Sequence, residues 1–76
     1  MALIEDLQEG PDGPNRVHDL TEATYCVFTD DRGQNYLQIN TYGSPHRKVK
    51  GVRSQTIQLG APAIRQLRSI LAKHFP

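Results

Sequence analysis

Two stretches of the chain alternate apolar with polar residues, and a third repeats its apolar residues at helical spacing. From Tyr36 to Tyr42, Leu37, Ile39 and Thr41 point one way and Tyr36, Gln38, Asn40 and Tyr42 the other. That period of two predicts a half-buried strand with a polar and aromatic outer face. Ser54 to Leu59 alternates in the same manner, with Ile57 and Leu59 marking the inward side. From Ala63 to Phe75 the apolar residues Ile64, Leu67, Ile70, Leu71 and Phe75 form one helical stripe. Gly60-Ala61-Pro62 introduces it, and proline in a first helical turn sacrifices no needed hydrogen bond. Arg65, Arg68, Ser69, Ala72 and Lys73 are assigned to the outer helix surface, where Arg68 and Lys73 suit the helix dipole.

The remaining segments complete the plan. Ala23 to Thr29 is rich in β-branched and aromatic types and reads as a strand, and Arg16 to Leu20 as a shorter one. Asp30 to Asn35 supplies a turn, with Asp30 and Asp31 as turn residues and Gly33 taking positive φ. Gly43 to Gly51 is a glycine-bracketed loop. Ala2 to Leu7 suggests one amphipathic turn, and two prolines and two glycines between Glu9 and Asn15 exclude a regular element. The expected fold is α+β: an antiparallel, three- or four-stranded curved sheet followed by one carboxyl-terminal helix. Residues 1–15 are expected to be a flexible acidic arm and residues 16–76 a single domain. A helix of about four turns covers one face of such a sheet and leaves the other open.

Length sharpens this picture. A chain of 76 residues buries a small core, and Cys26, its one cysteine, cannot close an internal disulfide. No Cys/His spacing suits zinc, so a homodimer that shares a core is the expected reinforcement. Cys26, between Tyr25 and Val27 in a strand, is expected to be a small buried side chain. No apolar run approaches a membrane span, and acids stand near the start where a signal peptide carries bases. A cytoplasmic protein with no membrane association is expected, in keeping with the lone cysteine.

Charge is segregated along the chain. All eight acids lie in residues 1–31 beside the single base Arg16, which leaves −7. Residues 32–76 carry the other eight bases and no acid, hence +8. Such asymmetry points to an anionic partner for the basic part, with the acidic part as its internal competitor. The other reading is that the two parts neutralise each other in the folded protein or across a dimer.

Catalytic constellations are missing from the pattern. His18, His46 and His74 fall in a strand, a loop and a helix end without ligand spacing, and no phosphate loop or dinucleotide fingerprint occurs. No enzyme, metal or small-molecule cofactor is expected. Binding is better supported. Single-stranded nucleic acid is held by rings that stack on bases and by cations that follow the phosphates. Tyr36 and Tyr42, interleaved with Gln38 and Asn40, offer the first element, and Tyr25 joins them if it shares their face. Arg47, Lys48, Lys50 and Arg53 offer the second. The opposed reading has the tyrosines packed against a dimer mate and the loop merely solvated.

In order and spacing these pieces resemble the single-stranded-DNA-binding domain of the positive cofactor four family of transcriptional coactivators, including its short bacterial relatives. The resemblance covers about residues 16–75: the turn Asp31-Arg32-Gly33-Gln34, the strand from Tyr36, the loop from His46 to Arg53, the short strand Gln55-Thr56-Ile57-Gln58-Leu59, and a helix from Pro62. It implies a homodimer that binds single strands across its sheets. It places Arg47, Lys48, Lys50 and Arg53 on phosphates and Tyr36 and Tyr42 on bases. The family usually carries a large aromatic residue at the helix start, where this chain has Ala61-Pro62-Ala63-Ile64. Tyr36 to Ser44 is also similar to short bacterial proteins labelled methionyl-tRNA formyltransferase-like. Formyl transfer needs a folate-binding α/β domain that 76 residues cannot hold.

The expected function is therefore non-enzymatic binding of single-stranded DNA or RNA by a homodimer. The alternative is a small protein–protein module, such as a phage or mobile-element antagonist of a nucleic-acid-binding complex.

Overall fold

The computed structural model describes residues 1–43 and 53–76. Four strands, β1 (Ala2–Ile4), β2 (Ala23–Thr29), β3 (Asn35–Thr41) and β4 (Gln55–Leu59), precede one helix, α1 (Ala61–His74). The α+β plan of a sheet followed by one carboxyl-terminal helix holds, and its sheet has four strands in the order β1-β4-β3-β2. It is mixed rather than wholly antiparallel, because β1 runs parallel to β4. The first strand is also not the expected one. Residues 16–20 form no strand, and Ala2-Leu3-Ile4 form one in place of an amphipathic turn. Three consecutive apolar residues fit an edge position on an existing sheet, and that tertiary pairing overrides the local helical pattern.

The central hairpin forms for the reasons visible in its residues. β2 pairs with β3 in unbroken register from Ala23↔Thr41 to Thr29↔Asn35. Gly33 adopts φ 80° in the turn, a conformation that side chains with a Cβ rarely take. The Asp30 carboxylate accepts the backbone N–H groups of Arg32 and Gln34, both at 2.9 Å, which closes the turn. β3 then pairs with β4, Leu37↔Leu59 and Ile39↔Ile57 among the pairs.

Register sorts the side chains into two faces. Ile57 and Leu59 lie beside Ile39 and Leu37, and beyond them stand Tyr25 and Val27. This apolar face receives α1. The helix begins one residue after β4, with Gly60 extended at its start and Pro62 in its first turn. So short a connection folds the helix back over the end of the sheet, where Leu59 is 4% exposed and Ala63 fully buried. These are the only buried apolar residues among those described. Coverage then runs out, leaving Ile57, Ile70, Leu71 and Phe75 exposed.

The segment between β1 and β2 travels from one edge of the sheet to the other. Its first residues are fastened to the helix: Leu7 N–H donates to Gln66 Oε1 at 2.6 Å, and Gln66 Nε2 donates to Asp6 Oδ1 at 2.7 Å. That bond, with a second from Gln8, holds the Asp6 carboxyl below its ordinary range. Residues 8–22 are exposed throughout.

Candidate nucleic-acid interface

The face opposite α1 carries Tyr36, Gln38 and Asn40 from β3, flanked by Thr24, Cys26 and Phe28 from β2 and by Thr56 and Gln58 from β4. None of these side chains is charged at neutral pH. Cys26 is exposed rather than buried, because β2 is an edge strand and the helix covers the other face. Tyr25 pairs with Ile39 and so lies on the helix side. It does not join Tyr36 and Tyr42. Alternation of side chains along a strand forces that outcome once Thr24 is opposite Asn40.

A different ring takes its place. Phe28 stands directly across from Tyr36, with ring centroids 5.3 Å apart and planes 24° from parallel. The tyrosine is further fixed by its hydroxyl, which donates to Asp30 Oδ2 at 2.8 Å. Asp30 is thereby held below its ordinary value, first by the Gln34 backbone N–H and next by the Tyr36 hydroxyl. The Tyr36 phenol is correspondingly raised, chiefly by its bond to Asp30. The signal for Phe28 was present in the sequence as a strand aromatic two residues before the turn. Its face became legible only through the pairing register.

Between the two tyrosines runs a ladder of amides and hydroxyls. Gln58 Nε2 donates to Gln38 Oε1 at 2.9 Å, and Gln38 Nε2 to Asn40 Oδ1 at 3.0 Å. Thr56 Oγ1 donates to the same Asn40 oxygen at 3.0 Å, and Asn40 Nδ2 to Thr24 Oγ1 at 3.4 Å. Thr24 and Tyr42 share a 2.8 Å hydrogen bond between their hydroxyls. Asn40 is 4% exposed, so its amide serves the sheet rather than an incoming base. Gln38 and Tyr42 are half-buried and stay in reach of a ligand laid on the face.

Two exposed cations stand near the ends of β3. Arg53 is exposed just before β4, at the Tyr42 end. Arg47, Lys48 and Lys50 lie outside the described residues. Arg32 is exposed in the β2–β3 turn, where its charge acts on the Tyr36 phenol. The turn is what brings Arg32 to the aromatic end. Six residue steps at about 3.3 Å each lead from Tyr36 to Tyr42, so the track between them is about 20 Å long. Arg65 and Arg68, assigned to the outer helix surface, line a cleft between helix and sheet with Val27, Leu37, Ala61 and Ile64.

Among the described residues no group of three or more His, Cys, Asp or Glu side chains could hold a metal ion, and no helix is long and apolar enough to cross a membrane. Comparison with protein-family models, curated proteins and solved structures gave no match.

Proposed function

We propose that this protein is a non-enzymatic, cytoplasmic binder of single-stranded nucleic acid that acts as a homodimer. The observation that carries the reading is the uncharged, largely half-buried face bearing the Phe28–Tyr36 stack and Tyr42, with Arg32 and Arg53 exposed near its two ends. Bases lie against rings of this kind whatever their sequence, and amide and hydroxyl groups between the rings reach their edges. Arg47, Lys48 and Lys50 belong to the sequence between β3 and β4, outside the described residues, and their proposed role on phosphates rests on the sequence. Arg53, Tyr36, Gln38 and Tyr42 keep their assigned roles, Asn40 becomes a brace, and Phe28 and Arg32 are added.

The homodimer part has its own support. Among the described residues the large apolar side chains of Tyr25, Val27, Ile57, Ile70, Leu71 and Phe75 stand exposed, an apolar surface that a second copy could cover. An obligate dimer typically buries about 1,000 Å² or more from each partner.

Fluorescence anisotropy of a labelled single strand at several salt concentrations tests the proposal. Binding should weaken with salt, and replacing Arg47, Lys48, Lys50 and Arg53 by alanine should flatten that dependence by a log–log slope of roughly three. Absence of saturable binding at low salt would overturn it. The protein–protein reading would then stand, which the exposed Tyr25, Val27 and Phe75 favour.

A further inference from the structure

Among the described residues the outer edge of β2 carries none of the usual protections. Its seven residues, Ala23-Thr24-Tyr25-Cys26-Val27-Phe28-Thr29, contain no charge and no proline, and the register to β3 is unbroken by any bulge. Natural edge strands carry such devices because an unpaired edge recruits another strand. β2 is the last strand of the sheet, and among the described residues no strand pairs with its outer side.

The alternation of hydrogen bonds shows which groups are free there. Tyr42 N–H donates to the Glu22 carbonyl, and Asp30 N–H to the Gln34 carbonyl. Antiparallel pairs alternate between bonded and non-bonded, so Cys26↔Gln38 falls on the bonded set. Even-numbered residues of β2 thus spend their backbone groups on β3. Those of Ala23, Tyr25, Val27 and Thr29 point outward.

We propose that two copies of this chain pair antiparallel through their β2 edges about a two-fold axis at Cys26. This rests on the homodimer part of the reading above and specifies its interface. A two-fold axis maps each residue onto its symmetric partner, and only an axis at Cys26 brings all seven residues into register. Tyr25 then bonds through its backbone to Val27 of the partner subunit, and Ala23 to Thr29 of the partner subunit. On the helix side this sets two exposed side chains, Tyr25 (75%) and Val27 (64%), against each other twice over. Tyr25 of the partner subunit also lies beside the apolar cleft lined by Val27, Leu37 and Ile64 with Arg65 and Arg68 at its rim. On the other side Thr24 meets Phe28 of the partner subunit, and the two candidate faces become one continuous surface across eight strands. Glu22 falls opposite Asp30 of the partner subunit at each end, a repulsion beyond the seven pairs that salt screens.

Cys26 reports directly on this register. It occupies a non-bonded pair with its own symmetry mate, where Cα atoms lie about 4.5 Å apart, inside the range a disulfide spans. Mild copper–phenanthroline oxidation of the full chain should link Cys26 to Cys26 at least about tenfold faster in the native protein than in urea at equal concentration. In a Cys26→Ser background, Ala23→Cys alone should not link, and adding Thr29→Cys should restore linking. A native rate no faster than in urea, or rapid linking by Ala23→Cys alone, would overturn the interface. No nucleic acid is present in these measurements. A protein that binds strands but fails the cross-link therefore sinks the interface alone, and one that links but binds nothing sinks the binding reading alone.

Discussion

The hydroxyl of Tyr36 donates to Oδ2 of Asp30 at 2.8 Å, while the other carboxylate oxygen accepts two backbone N–H groups of the turn. One carboxylate thus closes the β2–β3 turn and orients the ring on the candidate face. The stability consequence has two limbs of opposite sign. The Asp30 pKa is lowered, so its contribution is present above its ordinary value of 3.8 and is lost as pH falls through the folded value. The Tyr36 pKa is raised, so its contribution is present below 10.0 and is lost as pH rises through the folded value. Urea midpoints of the native protein and of Asp30→Asn should differ by a constant amount between about pH 5 and 9 and converge in acid. Tyr36→Phe should remove the alkaline limb.

The same pair separates orientation from stacking. Tyr36→Phe keeps a ring beside Phe28 and loses only the bond to Asp30, so single-strand affinity should change little. Phe28→Ala and Tyr36→Ala each delete a ring from the stack and should weaken binding by about 1–3 kcal/mol per base released. Anisotropy titration at fixed salt distinguishes the two kinds of variant.

Leu59 and Ala63 are the two buried apolar side chains where the helix meets the end of the sheet. Leu59→Ala should cost about 2–5 kcal/mol, and Ala63→Leu about 1–3 kcal/mol through overpacking. Losses of that size are large for a domain of this length, so circular dichroism at 25 °C should show substantial unfolding for Leu59→Ala. Ala72→Leu, on an exposed helix position, should leave the signal unchanged.

Gly33 sits at φ 80° with nothing within 4 Å of where a Cβ would stand. Any loss on Gly33→Ala therefore reports backbone strain and not a clash. We expect about 1 kcal/mol, read as a lower urea midpoint.

Local pattern carried a great deal here. The strand from Tyr36, the short strand ending at Leu59, the helix after Pro62 and the glycine turn are all consequences of spacing and of special residues. β1 was not legible, because three apolar residues near an end have no period of their own, and their partner β4 lies more than fifty residues away. The membership of the candidate face was half legible. Tyr36, Gln38 and Asn40 share a strand that Tyr42 directly follows, and alternation alone puts them together. Tyr25 and Phe28 sit on the neighbouring strand, where a one-residue change in register exchanges their faces. Register depends on the turn and on cross-strand packing, so it sent Tyr25 to the helix side and Phe28 to the ring of Tyr36. Whether an amide is available was also a tertiary matter. Asn40 looks like a reader of bases along one strand, but Thr24 and Thr56 come from both neighbouring strands to claim it. The sequence by itself determined which residues form strands and helix, because those preferences are local. The tertiary structure decided which side chains meet, because meeting requires two distant segments to settle on one register.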